Sequence, residues 1–389
     1  MTQEDDLEWL QVDPSPGLLS QLCLHMGVQN VQVEPVLSID RDFLCDQRPV
    51  YGMMIFTYHK TSHPSSYIST KDDFTTNDHL YFANQVVNNA YAMHALLSIL
   101  LNCDIIDIGP TLVEFKQFTK DFSPLICILC NVKGLSLSNS DAMRESQNHV
   151  ARLWPKKKST SSHVYHYVSY IPFEGYLWEL DGFKRGPLRL GPCTDQNWLD
   201  KLQFELVRKT EGYQKQHIPY SMWSVIEDRR NVLQRKLQAK LYYKEQVEQH
   251  LNHHFPEWRM DVQQWEEEYQ HAMTDAQNRR GMDVAAHMTL SSNTLDDDYQ
   301  QLKLQLQQHH QQYDQHSHQD QLKEWRDLWL QAQDEILRLY NCLGKEDEKH
   351  HNYQCDNLRR QHDYGPFITA YLEALHTQGR LQSLITPPS

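Results

Sequence analysis

Apolar and polar positions along the first 228 residues follow two different periods. From Val86 to Leu101 apolar residues recur every three or four positions after the polar pair Asn88-Asn89, which predicts a helix. His163 to Ile171 alternates with period two, and the turn pair Glu174-Gly175 leads into Tyr176 to Asp181, so a β-hairpin is expected there. Pro49 to Tyr58 (PVYGMMIFTY) is apolar without interruption and rich in β formers, as befits a strand buried on both faces. Together these elements predict a mixed α/β domain over residues 7–228.

Beyond residue 229 the pattern changes. Leu233, Leu237 and Leu241 are spaced for one helical face, and Leu322, Trp325, Trp329, Ala332, Ile336 and Leu339 repeat that spacing. Such helices must pack on something, so an antiparallel helical arm is expected over residues 229–350. Within it, Gln307 to Gln321 (QQHHQQYDQHSHQDQ) lacks the apolar periodicity that would offset the entropy of ordering, and reads as a flexible linker or a solvated helix. In the last stretch, residues 351–385, Ile368, Leu372 and Leu375 share a helical face, and Gly379 is placed to end that helix in the left-handed conformation.

Composition narrows the function classes. With 389 residues, 40% of them hydrophobic, the chain can bury a substantial core and still carry an extension. A net charge of −14 argues against nonspecific nucleic-acid binding, which relies on Lys and Arg neutralising phosphates. The longest apolar runs, such as Leu125 to Cys130, fall far short of the roughly 20 residues that span a bilayer. The opening MTQEDDLEW lacks a basic-then-apolar signal, so no membrane partner and a cytoplasmic and nuclear location are expected. The scattered cysteines predict free thiols. Cys127 and Cys130 form a CxxC with no second ligand pair at zinc-finger spacing, and the histidines of the Gln/His run are irregularly spaced, so no metal site is expected.

A cysteine hydrolase needs a thiolate at a helix N-terminus, a histidine base, a carboxylate to orient it and an oxyanion donor. Gln85 lies six residues before Tyr91, with an amide able to serve as that donor; His166 sits mid-strand in YHYVSY, and Asp181 ends the following strand. Folding the hairpin about Glu174-Gly175 sets Asp181 opposite Val168 and diagonal to His166 on the same face, roughly 7–8 Å away at Cα. The spacing permits a His–Asp pair. Taken singly, a strand histidine and an Asp before Gly are ordinarily structural.

The blocks FANQVVNNAYAMHALLSILLNC, KGLSLSNSDAMRESQNHVAR, YHYVSYIPFEGYLWELDGFKRGPLRLGPC and MWSVIEDRR, in this order and spacing, resemble the UCH family of ubiquitin C-terminal hydrolases. The resemblance implies an α/β (α+β) papain-like fold, with a central antiparallel sheet flanked by helices and a C-terminal helical extension. It further implies ubiquitin as partner and no cofactor, with Gln85 as oxyanion donor, His166 as general base and Asp181 as the acid that orients it. The family's nucleophilic cysteine falls on Tyr91. A phenol has a pKa near 10 against about 8.5 for a thiol and reaches much farther from the backbone. Tyr91 is therefore expected to abolish the nucleophile and to fill the slot for ubiquitin's Gly-Gly tail. Cys103 lies about 18 Å farther along the helix and is not placed to substitute.

The expected function is a ubiquitin-pathway protein of this family that is impaired as a hydrolase. The alternatives are a deubiquitinase with unconventional chemistry, or a chromatin-linked scaffold. Ser123 to Val132 is longer and more apolar than the family's connection before its KGL segment. Asn139 to Ser162 corresponds to the family's crossover loop, with Arg152 to Ser162 composed like a mobile loop. LRRQHDYGPFITAYLEALHTQGRLQSLI (358–385) resembles the C-terminal domain shared by proteasomal and chromatin-associated UCH enzymes, with His362, Tyr364 and Phe367 on its short motif. That resemblance implies binding to a DEUBAD domain of a proteasomal ubiquitin receptor, the proteasome being favoured by the absence of a basic tail; packing on the chain's own arm is the alternative.

Overall fold

The structure is a computed structural model that describes residues 8–59, 77–122, 127–153, 164–267 and 318–381, with the isolated positions 75, 300 and 304. The low-complexity run up to Ser317, most of Arg152 to Ser162 and residues 123–126 lie outside the described residues.

Six strands form one sheet: β1 (Val31–Pro35), β2 (Val50–His59), β3 (Val164–Phe173), β4 (Tyr176–Asp181), β5 (Leu188–Pro192) and β6 (Tyr220–Glu227). Their order is β1-β6-β2-β3-β4-β5, and every neighbouring pair is antiparallel. The apolar run expected to be covered on both faces is β2, at the middle of the sheet, where Met53, Met54, Ile55 and Phe56 are all buried. Their side chains alternate between two layers. Met54 and Phe56 join the larger core beneath α3 (Tyr91–Leu100), while Met53 and Ile55 join the layer formed by α7 (Trp198–Lys215).

α3 is buried around its whole circumference, from Tyr91 to Leu100. It begins later than the periodicity predicts, because Asn88–Ala90 is a turn of 3-10 helix and Val87 is extended. The Asn89 side chain donates instead to the carbonyl of Trp9 at 2.8 Å. Asparagine favours such local alternatives over continuing a helix. Around α3 lie α1 (Pro16–His25), α4 (Gly109–Lys120), α5 (Cys127–Ser138) and α6 (Asp141–Arg152), with the short α2 (Arg41–Asp46) on the α7 side.

Past β6, Asp228 caps α8 (Arg229–His254) by accepting from the Arg230 N–H at 2.9 Å. α9 (His318–Gln361) runs back along it. The antiparallel sense shows in the pairing of Ala239, Tyr243, Val247 and Leu251 with Trp325, Trp329 and Ala332 in one cluster, and of Leu233 and Leu237 with Ile336 and Leu339 in the next. Leu241 departs from expectation, being 41% exposed. Each four-residue step overshoots the helical turn by about 40°, so Leu241 stands about 80° away from Leu233. α9 continues to the α/β domain, where Lys349 pairs with Glu34 at 2.8 Å and Tyr353 packs on Gly17. α10 (Gly365–Thr377) closes the described chain, and Gly379 adopts φ +68° after it, as the sequence predicts. Among the described residues no helix is long and apolar enough to cross a membrane.

Candidate active site

The β3–β4 hairpin has the register read from the sequence: Val168 faces Asp181. His166 Nε2 and Asp181 Oδ1 are 2.6 Å apart. On its other side His166 faces Thr57 of β2, and the Thr57 Oγ1 lies 3.5 Å from His166 Nδ1. The Phe183 ring stacks on the imidazole, with centroids 4.7 Å apart and planes inclined by 19°.

Asp181 stays ionised by a margin. Burial alone would raise its pKa, but the His166 imidazole and the ammonium groups of Lys209 and Lys184 outweigh burial and bring it down to about 2. An ionised carboxylate only accepts hydrogen bonds, so Nε2 of His166 must carry the proton facing Asp181. Behind this pair Glu179, also buried, accepts from Lys184 at 2.6 Å, from Tyr170 Oη at 3.1 Å, and pairs with Lys209 at 2.8 Å. Its carboxyl is held below the usual range: burial pushes it up, and the two lysines push it further down. Neither Thr57, Phe183 nor the Glu179 network is picked out by the sequence reading. The one available signal is a single threonine in a central strand otherwise rich in apolar and aromatic residues.

Gln85 lies on the loop before α3, and that loop is fastened to the turn after β4. The Gln85 N–H donates to the Gly182 carbonyl at 2.9 Å, and Asn84 Nδ2 donates to the Lys184 carbonyl at 2.6 Å. Two glycines permit this approach. A Cβ on Gly182 would lie within 3 Å of the Tyr167 ring, and one on Gly134 of α5 would lie 2.2 Å from the Asn84 carbonyl oxygen. The Gln85 amide donates to the Asn88 carbonyl at 3.3 Å, across the entry to α3. Gln85, His166 and Asp181 are thus gathered about the end of β4.

Tyr91, expected at the nucleophile position, is the first residue of α3, and its side chain is taken up by the core. It is 0% exposed, its ring meets Phe56 edge-on at 5.4 Å, and its hydroxyl donates to the Val12 carbonyl. Phe56 leaves β2 on the opposite face from Thr57. The Tyr91 ring, expected to fill the slot for ubiquitin's Gly-Gly tail, is packed inside the core. A ring this apolar gains more from burial beneath the N-terminal segment, where Val12 offers its hydroxyl an acceptor. That segment is also held by Gln147 Nε2, which donates to the Leu10 carbonyl at 2.7 Å, and by Asn148 Nδ2, which donates to the Glu8 carbonyl at 2.7 Å. Cys103, beyond the far end of α3, is half-buried, and burial pushes its thiol up to about 11. His362, Tyr364 and Phe367 lie apart from this site, exposed around the start of α10.

An imidazole with one nitrogen fixed by an ionised carboxylate, leaving the other to take a proton, is the framework of the acyl-transfer hydrolases. Comparison with known proteins sharpens the class. The profile of ubiquitin carboxyl-terminal hydrolase, family 1, matches residues 9–210, and a second ubiquitin carboxyl-terminal hydrolase profile matches residues 336–381. The chain belongs to the ubiquitin carboxyl-terminal hydrolase family. It is 27% identical to ubiquitin carboxyl-terminal hydrolase isozyme L5 of Dictyostelium discoideum over 97% of this chain and 94% of that protein. It is 35% identical to ubiquitin carboxyl-terminal hydrolase BAP1 of Gallus gallus over 59% of this chain, but spans only 34% of that protein. Among solved structures, the Trichinella spiralis UCH37 catalytic domain bound to ubiquitin vinyl methyl ester is 28% identical, with a TM-score of 0.47 over 57% of this chain and 96% of that one.

Proposed function

We propose that this protein is a ubiquitin-recognising member of its family that does not hydrolyse ubiquitin conjugates through a thiol, and that α10 docks it to the DEUBAD domain of a proteasomal ubiquitin receptor. The observation that carries the first half is Tyr91: the first residue of α3 bears a phenol buried in the core, with its hydroxyl committed to Val12. Asp181 holds His166 at 2.6 Å, and Gln85 is anchored at Gly182. In this reading His166 is the vestigial base, Asp181 its orienting acid and Gln85 the oxyanion donor.

The docking half is supported by α10 itself. None of its residues is buried, while Phe367 and Ile368 are 66% and 51% exposed. Similarity along nearly the full length of the Dictyostelium L5 protein favours this arrangement of a catalytic-type domain with a C-terminal module over the much longer BAP1 plan.

The test is Tyr91→Cys. The unaltered protein is expected to show no turnover of ubiquitin-aminocoumarin, with or without a DEUBAD domain. The variant is expected to gain slow but measurable turnover and to react with ubiquitin vinyl methyl ester, since a thiol at a helix N-terminus ionises readily. Its rate should stay poor, because catalysis needs its members within about 0.5 Å of the productive geometry. Turnover by the unaltered protein that survives replacement of its cysteines and vanishes in Tyr91→Phe would sink the reading.

A further inference from the structure

Any nucleophile served by the His166–Asp181 pair must pass its proton to the nitrogen that does not face the carboxylate. Because Asp181 is ionised and lies 2.6 Å from Nε2, the proton of neutral His166 sits on Nε2, and Nδ1 is left as the basic atom. Among the described residues the hydroxyl of Thr57 lies at Nδ1, at 3.5 Å. With no proton on Nδ1, that hydroxyl is the donor. We propose that Thr57 is a positioning residue that caps the basic nitrogen of His166, holding the imidazole in its Nε2–H tautomer and competing with any proton donor for Nδ1. This rests on reading His166 as the base of the site, and adds a second impediment to hydrolysis beside Tyr91.

Three observations carry the cap. Thr57 and His166 are directly opposed in the β2–β3 ladder, so the contact is set by strand register rather than by a mobile loop. Phe183 covers the ring from one side at 4.7 Å, restricting its rotation. Thr57 is only 2% exposed and lies on a strand hydrogen-bonded on both edges, to β3 and β6. That burial separates a cap from a nucleophile: a threonine acylated here would have to place a tetrahedral carbon and its substituents inside the sheet layer.

The direct test is nitrogen NMR of the His166 ring in the full chain at neutral pH. In the unaltered protein the proton is expected on Nε2, with Nδ1 shifted upfield as a hydrogen-bonded acceptor. Thr57→Val, which keeps the shape and removes the hydroxyl, should move Nδ1 downfield, and Thr57→Ser should restore it. An unchanged Nδ1 resonance in Thr57→Val overturns the proposal. So does a proton on Nδ1 in the unaltered protein, a measurement that needs no variant to fold. An acyl group recovered on Thr57 after incubation with an activated ubiquitin ester overturns it as well, by making the hydroxyl a nucleophile. In a Tyr91→Cys background, adding Thr57→Val should speed labelling by ubiquitin vinyl methyl ester about fivefold, the factor that corresponds to ~1 kcal/mol for one neutral hydrogen bond. Equal rates count against the cap. Failure of Tyr91→Cys to react at all bears on the functional reading, and the imidazole measurement still decides the cap.

Discussion

At Tyr91 and at His94, one helical turn apart on α3, polar side chains lie wholly inside the core, and each has settled differently. Tyr91 found the Val12 carbonyl. His94 lies parallel to the Tyr167 ring at 6.2 Å, and its Nε2 is buried without a hydrogen-bond partner among the described residues. Burial therefore pushes its pKa down to about 3, from the 6.5 of a solvated imidazole. The sign follows by linkage: the unfolded chain takes up a proton near pH 6.5, whereas the folded protein refuses it until about pH 3. Stability is full above pH 6.5 and falls as the pH drops towards 3, by ~1 kcal/mol per pH unit from this group. Urea unfolding of His94→Gln between pH 7 and about pH 4 should show that part of the slope removed; an unchanged slope would place the acid sensitivity elsewhere. The phenol at residue 91 was legible in the sequence, because it needs only the residue's identity. The direction the ring takes was not, since it depends on Phe56 and Val12, far away along the chain.

Among the elements, the hairpin was the most readable. Period-two alternation around a two-residue turn determines which residues oppose one another, and Val168 meets Asp181 as expected. What lies across the other edge of β3 depends on a strand more than a hundred residues earlier, so Thr57 stayed hidden as the neighbour of His166. The loop bearing Gln85 shows the same dependence. It is clamped between the turn after β4 and α5, where Gly134 lets the Asn84 carbonyl approach. Gly134→Ala would set a Cβ 2.2 Å from that oxygen, a backbone atom that can yield only by moving the loop. A loss of ~1–3 kcal/mol, typical of overpacking, is expected in denaturant unfolding, together with a further loss of reactivity when combined with Tyr91→Cys. Gly191→Ala, with nothing within 4 Å of the new methyl, is the matched control and should change little.

Across the whole molecule, α9 joins the arm to the α/β domain. Its first half packs Trp325, Trp329 and Ile336 against α8, and its second half reaches β1 and α1 through Lys349 and Tyr353. α10 is thereby held on a rod braced at both ends, with none of its residues buried among the described residues. Phe367→Ala in the full chain should weaken binding to a receptor DEUBAD domain about thirtyfold, as for a buried aromatic anchor worth ~2 kcal/mol. The unfolding midpoint should not move, because Phe367 is 66% exposed and joins no core cluster among the described residues. Unimpaired binding measured by calorimetry would assign the docking to another surface. Sequence alone determined what is local or periodic: the central strand β2, the β3–β4 hairpin with its register, and the packed face of α9. Tertiary structure decided what depends on distant segments meeting: that Tyr91 turns inward to Val12, that Thr57 stands opposite His166, and that no described residue buries α10. The division follows from the physics, since periodicity encodes which face of an element is buried but not which partner buries it.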